Sequence, residues 1–288
     1  MENIKMGNVK NHIINGDYFE HIKDIPDNSI DLILTDPPYN LSKYSTGNMS
    51  FSWRSTINND LATWDKKVFN PSEVLNDFVR ILKPTGNIFV FCTYNLLGKW
   101  HEIFDPIFDT FQFMVWHKTN PAPKIRKAGF LNSCELIVCM WNKGHTWNFT
   151  KQSEMHNFIE TPICMGKERL KDPKHPTQKP VRVLKHIIKT ASNPGDLIFD
   201  PFMGVGSTGV AALEIGRRFV GIELEESYYL AAEKRLKEVL LDEQMEVNFD
   251  NSCNEANCNT AEPTAKEKGD LSAKLKKTDA LKQQSIKL

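Results

Sequence analysis

The stretch DLIFDPFMGVGST, residues 196–208, decides the fold class of this chain. A short apolar strand stops at Asp200, two glycines follow, and a helix then begins and runs through VAALEI, residues 210–215. A second apolar strand, residues 218–223, ends at Glu223. Strand, glycine turn, helix and strand in this order form a parallel βαβ unit. In such units a ligand lies at the helix N-terminus, and an acid at the second strand end binds ribose hydroxyls.

The turn Gly204-Val205-Gly206 differs from the turn that binds dinucleotides. Ser207 and Thr208 follow it, at the place where the dinucleotide pattern has a third glycine for a pyrophosphate. NAD is therefore a poor fit to this unit, and a nucleoside ligand without a diphosphate fits better.

A second strand end carries a different set of groups. The apolar run IDLILT, residues 30–35, stops at Asp36-Pro37-Pro38-Tyr39. Proline fixes φ and has no N–H, so this end offers a carboxylate, a carbonyl without a competing amide donor and an aromatic ring. These groups suit an amino group on a flat ring, because the ring can stack on Tyr39 while its NH₂ donates to Asp36 and to the Pro37 carbonyl. Taken alone, the same residues also fit a strand followed by an ordinary Pro-Pro turn.

Helix and strand patterns alternate along the chain, as an α/β sheet requires. Strands are predicted at 12–16, 30–35, 87–92, 111–118, 134–141, 197–200 and 218–223. Helices are predicted at 18–25, 71–83, 94–105, 180–191, 207–216 and 225–243. Ligands of a doubly wound sheet lie where the crossovers reverse direction, so the strands that end at Asp36 and Asp200 are predicted to be neighbours.

Together these motifs resemble those of the DNA amino-methyltransferases that use S-adenosylmethionine. In that family Asp-Pro-Pro-Tyr holds the target base and Phe-x-Gly-x-Gly holds the cofactor. Here the first motif comes early and the second, residues 202–206, comes late, which is the order of the family's β class. Further blocks resemble the family at residues 15–17, 116–123, 134–141 and 174–180, so the likeness covers roughly residues 10 to 240.

The resemblance implies the fold class: α/β, a doubly wound, seven-stranded, mostly parallel methyltransferase (Rossmann-like) sheet with a circularly permuted motif order. One antiparallel strand would come from the hairpin of 111–118 and 134–141, whose loop 119–133 would lie beside the pocket mouth. The predicted catalytic domain is 1–246, with a target-recognition segment at about 142–173. Residues 247–288 are polar in composition and are predicted to form a flexible tail.

The resemblance also assigns roles to residues. Asp36, Pro37, Pro38 and Tyr39 would be catalytic, and no metal site is expected. Asp17 would contact the adenine side of the cofactor and Glu223 its ribose. The other predicted cofactor-binding residues are Asp200, Phe202, Gly204, Gly206, Ser207 and Thr208 around the sugar and methionine, and Thr177 and Lys179 near the methionine carboxylate.

Several of these residues have simpler alternatives. Asp17 would also serve as the cap of the helix that begins after it. His175 would be a loop residue that orients Lys179. Phe51 and Trp53 lie in the long loop 40–64, where they would either stack on a displaced base or pack locally.

Basic side chains are concentrated in two places although the formal charge of the chain is balanced, with 36 Lys and Arg against 36 Asp and Glu. One group lies in the loop after strand 111–118 and comprises Lys118, Lys124, Arg126 and Lys127. The other lies within residues 167–189. Both are predicted to contact DNA phosphates, and the alternative for each is a solvated face.

The predicted reaction is methylation of the exocyclic N6 of adenine in a base flipped out of the duplex, because Asp before Pro-Pro-Tyr is the usual form for adenine in the resembling family. Cytosine N4 is the alternative, since it offers the same kind of amine. A protein glutamine methyltransferase and a protein that only senses the cofactor are rivals from other classes. Asp36 and the motif order disfavour them.

The expected partners are DNA, a second copy of the chain in a homodimer and a cognate restriction endonuclease, with this chain as the modification component of a restriction-modification system. The six cysteines form no metal or disulfide pattern, and neither a signal peptide nor a membrane span is recognisable. We therefore expect a cytoplasmic protein of a bacterium or phage with reduced thiols.

Overall fold

A computed structural model describes residues 11–38, 49–51, 54–57, 69–123 and 129–256. The strands in chain order are β1 His12–Asn15, β2 Ile30–Thr35, β3 Met49–Phe51, β4 Arg54–Ile57, β5 Leu82–Cys92, β6 Thr110–Lys118, β7 Cys134–Trp141, β8 Phe158–Thr161, β9 Leu197–Asp200 and β10 Arg218–Glu223. The helices are α1 Tyr18–His21, α2 Ser72–Ile81, α3 Tyr94–Phe104, α4 Val181–Ala191, α5 Ser207–Leu213 and α6 Glu226–Ala256. Short 3₁₀ turns span Ile22–Asp24 and Gln152–Glu154.

Eight strands form one sheet in the order β1-β10-β9-β2-β5-β7-β6-β8, and β3 pairs with β4 in a separate hairpin. Within the described part of the chain, β7 alone runs antiparallel to the other strands of the large sheet. The predicted α/β class with a mostly parallel sheet is confirmed, as is the antiparallel strand from the 111–118 and 134–141 hairpin. The sheet has one strand more than the seven expected.

Helices cover both faces of the sheet, which is what makes it doubly wound. Apolar side chains of α1, α2 and α3 pack with Ile33 of β2 and with Ile88 and Val90 of β5 on one face. Side chains of α4, α5 and α6 pack with Leu34 and Phe89 of the same two strands on the other face. Successive strand residues point to opposite faces, so two-sided burial explains why these strands are apolar throughout.

Strands β9 and β2 are parallel neighbours, as predicted, with Leu32 opposite Ile198 and Ile33 opposite Phe199. From this pair the sheet continues through β10 and β1 on one side and through β5 on the other. The reversal of direction leaves a crevice at the carboxyl ends of β9 and β2, where open α/β sheets bind their ligands.

Three local features differ from expectation. Strand β8 lies at the edge of the sheet inside the segment 142–173 that was assigned to target recognition. Strand β5 begins at Leu82, five residues before the predicted start at 87, and its pairing with β2 shifts between Ile30 and Leu32. Helix α6 continues to Ala256, so the segment 247–256, predicted as flexible tail, is helical.

The chain divides into a compact unit, Met1–Leu241, and a second unit, Asp242–Leu288. Every described site residue belongs to the first unit. The predicted domain boundary at 246 stays a prediction. In the described ranges, no helix has both the length and the apolar character of a bilayer-spanning segment.

Candidate active site

A cavity of about 350 Å³ lies at the carboxyl ends of β9, β2 and β10. Its wall includes most of the residues that the sequence singled out, from five separate segments of the chain. Those residues are Asp17, Asp36, Pro38, Thr177, Lys179, Asp200, Phe202, Gly204, Ser207, Thr208 and Glu223. Its volume is in the range of ordinary small-molecule pockets.

Asp200 ties the two central strands to the glycine turn. Its carboxylate accepts hydrogen bonds of 2.7 Å from the hydroxyls of Thr35 and Thr208, and one of 3.1 Å from the backbone N–H of Phe202. The side chain is buried, and this burial raises the pKa of Asp200 to about 6 against the lowering effect of the hydrogen bonds. Asp200 therefore holds the glycine turn from behind, because its oxygens already accept from the protein.

The glycine turn requires glycine at both positions. Gly204 has φ of 53° and Gly206 has φ of 74°, a region that disfavours residues with a Cβ. A Cβ on Gly206 would also lie 2.9 Å from the Cβ of Ala232 in α6. The turn leads directly into α5, whose first residues, Ser207 and Thr208, are buried. Backbone N–H groups and the helix start thus lie at the cavity wall.

Glu223, at the end of β10, faces the same turn. One carboxylate oxygen accepts from the N–H of Gly204 at 2.8 Å, and the other accepts from the N–H of Glu225 at 2.8 Å. Burial raises the pKa of Glu223 to about 7, although these two backbone hydrogen bonds act in the opposite direction. A carboxylate held in this way still has lone pairs for a vicinal diol, since each oxygen can accept more than one hydrogen bond.

Aromatic rings and Asp17 close the other side of the cavity. Phe202 lies 5.4 Å from the ring of Tyr18 and 5.8 Å from that of Phe69, measured between centroids. Asp17 caps α1 by accepting from the N–H of Phe19 at 2.8 Å, and it also lines the cavity. Both predicted roles of Asp17 are therefore compatible with its position.

Asp36 lies at the end of β2, next to Asp200 across the sheet. It is 19% exposed, Pro37 is buried and Pro38 lines the cavity. The backbone therefore presents the carboxylate and Pro38 at the crevice, with Pro37 buried between them. Tyr39, the fourth predicted catalytic residue, lies outside the described residues, as do Trp53 and the side chain of Phe51.

Lys179 reaches across the site and forms an ion pair with Asp36. Its ammonium also lies 3.4 Å from a carboxylate oxygen of Glu135, 3.4 Å from the carbonyl oxygen of Thr177 and 5.0 Å from the ring centre of Phe91. Burial would lower the pKa of Lys179, but the charges of Asp36 and Glu135 outweigh it and hold the pKa above its usual value. Lys179 is thus a buried cation between two carboxylates.

The charged row continues beyond Glu135. Lys118 binds the other Glu135 oxygen at 2.6 Å and is only 16% exposed. Burial would raise the pKa of Glu135, but the two lysines hold it below its ordinary value. Lys118 was predicted to contact DNA, and in the structure it is engaged with Glu135. Lys124, Arg126 and Lys127, the other predicted DNA contacts, lie outside the described residues.

His175 forms part of the wall as an uncharged ring. It packs edge-on to Tyr228 with 4.6 Å between ring centres. Burial lowers the pKa of His175 to about 4, and the nearby cations Lys179, Arg169 and Arg235 act in the same direction. His175 is therefore uncharged at neutral pH. Gln178 fixes its loop by bonding the Glu168 carbonyl and the Leu170 N–H.

A second cavity of about 330 Å³ adjoins the first and shares Thr177, Gln178 and Lys179 with it. Glu135, Lys118 and Trp116 line its far side. Lys179 therefore stands in the wall between the two spaces. No group of three or more His, Cys, Asp or Glu side chains in the described residues is arranged to hold a metal ion.

Two site residues were missed by the sequence reasoning. Glu135 is a charged residue in an otherwise apolar strand, CELIVCMW, and that position signals a buried charge pair. Thr35, one residue before Asp36, hydrogen-bonds Asp200 and is buried. A hydroxyl at the end of an apolar strand carries little signal of its own.

Comparison with known proteins places this site in a family. The model of the family N6_N4_Mtase, described as DNA methylase, matches residues 30–234. Type II methyltransferase M.HinfI of Haemophilus influenzae is 34% identical over 252 residues, which are 80% of this chain and 69% of that protein. Type II methyltransferase M2.LlaDCHI of Lactococcus lactis subsp. cremoris is 33% identical over 244 residues, 78% of this chain and 88% of that protein.

Solved structures agree. The crystal structure of the M1.HpyAVI–SAM complex matches with a TM-score of 0.58 at 28% identity, covering 78% of this chain and 99% of that one. The cytosine-N4-specific PvuII DNA methyltransferase shares the fold with a TM-score of 0.59 at 18% identity, covering 79% of this chain and 86% of that one.

Proposed function

This chain belongs to the N6/N4 DNA methylase family and is a DNA methyltransferase that uses S-adenosylmethionine, and on that premise we propose that it methylates the exocyclic N6 of adenine. The observation that carries the proposal is the position of Asp36. Its carboxylate ends β2 in the wall of the cavity that also holds the glycine turn and Glu223. Asp before Pro-Pro-Tyr is the form that resembles the adenine enzymes.

The residues of the cavity fit the cofactor. Glu223 offers carboxylate oxygens to ribose hydroxyls, and Asp17 offers another acceptor at the adenine side. The left-handed Gly204 and Gly206 let the backbone approach a ligand closely. Phe202 and Tyr228 supply apolar contact area. When bound, S-adenosylmethionine supplies a methyl group activated by a positive sulfonium.

Asp36 and Pro37 orient the target amine in this proposal. An exocyclic NH₂ has two protons, and the Asp36 carboxylate and Pro37 carbonyl are two acceptors on adjacent residues. Both hydrogen bonds turn the nitrogen lone pair out of the ring plane and towards the cofactor side. Pro38 contributes no N–H that would compete for the Pro37 carbonyl.

The target base has to leave the duplex before it can reach Asp36. Unstacking costs roughly a few kcal/mol, and an aromatic partner in the pocket offsets part of it. We assign that stacking role to Tyr39. For phosphate contacts we retain Lys124, Arg126 and Lys127, while Lys118 is assigned to the charged row with Glu135.

The proposal extends to biological context. Both curated relatives are named Type II methyltransferases of bacteria, which supports a role as the modification component of a restriction-modification system in a bacterial cytoplasm. A cognate endonuclease and a homodimer belong to the same proposal. Sedimentation at micromolar concentration tests the homodimer, and a monomer alone would contradict it.

Transfer of labelled methyl from S-adenosylmethionine to unmethylated bacterial DNA, followed by nucleoside analysis, tests the base. The label is expected in N6-methyladenine. Label in N4-methylcytosine would overturn the base assignment and leave the amine chemistry intact. A matched reaction with protein extract in place of DNA should remain unlabelled.

A further inference from the structure

Four side chains of alternating charge form a row of ion pairs: Asp36, Lys179, Glu135 and Lys118. Orientation of an amine by Asp36 does not by itself require the other three. Lys179 is 6% exposed and its three ammonium protons face three acceptors: Asp36, Glu135 and the Thr177 carbonyl. A buried lysine destabilises the fold unless it is paired with a carboxylate. Even a buried ion pair adds little to stability, so a pair that lies in a proposed reaction site is a candidate for a functional role.

We infer that Lys179, held by Glu135 and Lys118, is a positioning residue that fixes the orientation of Asp36 and keeps it ionised as an acceptor for the amine. This rests on the proposed function, because it assumes that Asp36 receives the amine. It also differs from the role expected from the sequence, in which Lys179 would bind the methionine carboxylate of the cofactor.

The chemistry of Asp36 explains why such a residue is useful. A protonated carboxyl would become a donor at one oxygen and keep only part of its acceptor capacity, so it would hold an NH₂ group less well. Asp36 stands among groups that disfavour its charge: it is largely enclosed, and Asp200 lies near enough for the charge of Asp36 to contribute to raising that residue's pKa. A fixed cation on the opposite side compensates for both effects.

Glu135 and Lys118 complete the device. Glu135 shares Lys179 with Asp36 and so holds the ammonium in one place, while Lys118 balances the second carboxylate. The four side chains together are neutral, so the row can be enclosed without a net buried charge. The titratable groups facing it from neighbouring elements are His175, Asp200 and the Cys92 thiol. Burial raises the pKa of Cys92 to about 12, so Cys92 and the His175 ring are both uncharged near neutral pH.

The test is the pH dependence of kcat/KM for Lys179→Met, with cofactor Kd and thermal melting measured beside it. At pH 6 the activity should fall about 100-fold, and it should recover to within about tenfold of the wild type at pH 9, because the acidic limb moves to higher pH when the cation is lost. Cofactor Kd should stay within about threefold. Lys179→Arg should restore most of the profile.

A matched control is Lys83→Met. Lys83 forms a 2.7 Å ion pair with Asp31 at the opposite end of β2, so this change breaks a similar pair away from the site. It should leave the pH profile unchanged. Weakened cofactor binding with an unmoved acidic limb in Lys179→Met would overturn the inference and return Lys179 to the methionine carboxylate.

Two further measurements keep the inference decidable. Should Lys179→Met fail to fold, Glu135→Gln should move the acidic limb to lower pH, since Lys179 would then serve Asp36 alone; an unmoved limb would contradict the role. Carbon-13 NMR of labelled aspartate carboxyls measures the protonation of Asp36 directly and requires no methyl transfer. The signal that disappears in Asp36→Asn assigns the Asp36 carboxyl. An Asp36 titration that Glu135→Gln leaves in place would refute the inference even if no base is methylated.

Discussion

The two halves of the cavity hold carboxylates in opposite ways. In the half proposed to bind the cofactor, called the cofactor half, Asp200 and Glu223 accept hydrogen bonds from hydroxyls and backbone amides, and burial raises their pKa values to about 6 and about 7. In the half proposed to hold the target amine, called the reacting half, Asp36 and Glu135 are paired with lysines, of which Lys179 is buried and Lys118 is partly buried. There the cations hold the pKa of Glu135 below its ordinary value, against its burial.

The difference shows how one type of side chain serves two purposes at neighbouring strand ends. Neutral donors fix the shape of the glycine turn at little electrostatic cost, but they leave its carboxyls sensitive to pH near neutrality. In the other half, the cations instead stabilise the charged form of Glu135. Changes in the two halves should therefore have separable effects on binding, stability and turnover.

The largest expected effect separates turnover from binding. Asp36→Ala should lower kcat by about 10³-fold, because one acceptor of the amine is lost, while cofactor Kd changes by less than about threefold. Single-turnover kinetics and equilibrium binding measure the two quantities. Asp27→Ala, which removes an exposed carboxylate at the surface, is the control and should leave both unchanged. Equal losses of binding and turnover would erase the distinction between the halves.

A change in the cofactor half should act on stability first. Gly206→Ala adds a Cβ at a φ of 74° and 2.9 Å from Ala232, so unfolding free energy should fall by about 2–4 kcal/mol. Gly216 has a φ of 71°, and a Cβ added there would meet no atom within 4 Å. Gly216→Ala therefore isolates the cost of the backbone conformation, and its unfolding free energy should fall by only about 1 kcal/mol. Urea unfolding measures the free energy of unfolding of both variants. Equal losses would mean that the turn is not closely packed against α6.

The pH dependence of stability tests the raised pKa of Glu223. Its pKa rises from 4.5 to about 7 on folding, so between these values the folded state binds the extra proton. Stability from this group is therefore greatest at low pH and is lost as pH rises towards 7. The unfolding free energy of Glu223→Gln, relative to that of the wild type, should therefore increase by on the order of 2 kcal/mol as the pH is raised from 4.5 to 8. Denaturant unfolding across that range measures the difference, and a constant offset would contradict it.

The smallest effect concerns the proposed DNA contacts of Lys124 and Arg126. Lys124→Ala combined with Arg126→Ala should weaken DNA binding about tenfold and lower the slope of log K against log salt by about 2, since two phosphate contacts are lost. Lys23→Ala with Lys99→Ala removes two exposed lysines elsewhere and serves as control. An unaltered slope would assign the loop residues to a solvated face.

The central strands were predictable because each is a short apolar run bounded by a breaker. Strands β2, β7, β9 and β10 have the predicted bounds. Strand β8, with the sequence FIET, was missed because half of its residues are polar and it becomes a strand through pairing with β6 at the sheet edge. Such pairing depends on the tertiary structure and leaves a weak local pattern.

The site also has residues that were predictable from the sequence and contacts that were not. Asp36, Asp200 and Glu223 were predictable, since an acid at the end of an apolar strand marks the edge where ligands bind. The partner of Lys179 was not, because Asp36 is 143 residues away and many carboxylates precede it. Motif spacing reports which residues are near the site, whereas ion pairing depends on how distant segments approach in the folded chain.

The most direct test is to map modified bases in DNA from cells that express the chain, by long-read sequencing that distinguishes methylated bases. N6-methyladenine should appear at one short recurring sequence and should be absent from cells that express Asp36→Ala. N4-methylcytosine, unmodified DNA, or N6-methyladenine that persists in the Asp36→Ala cells would contradict the assignment of Asp36 as the residue that orients an adenine amine.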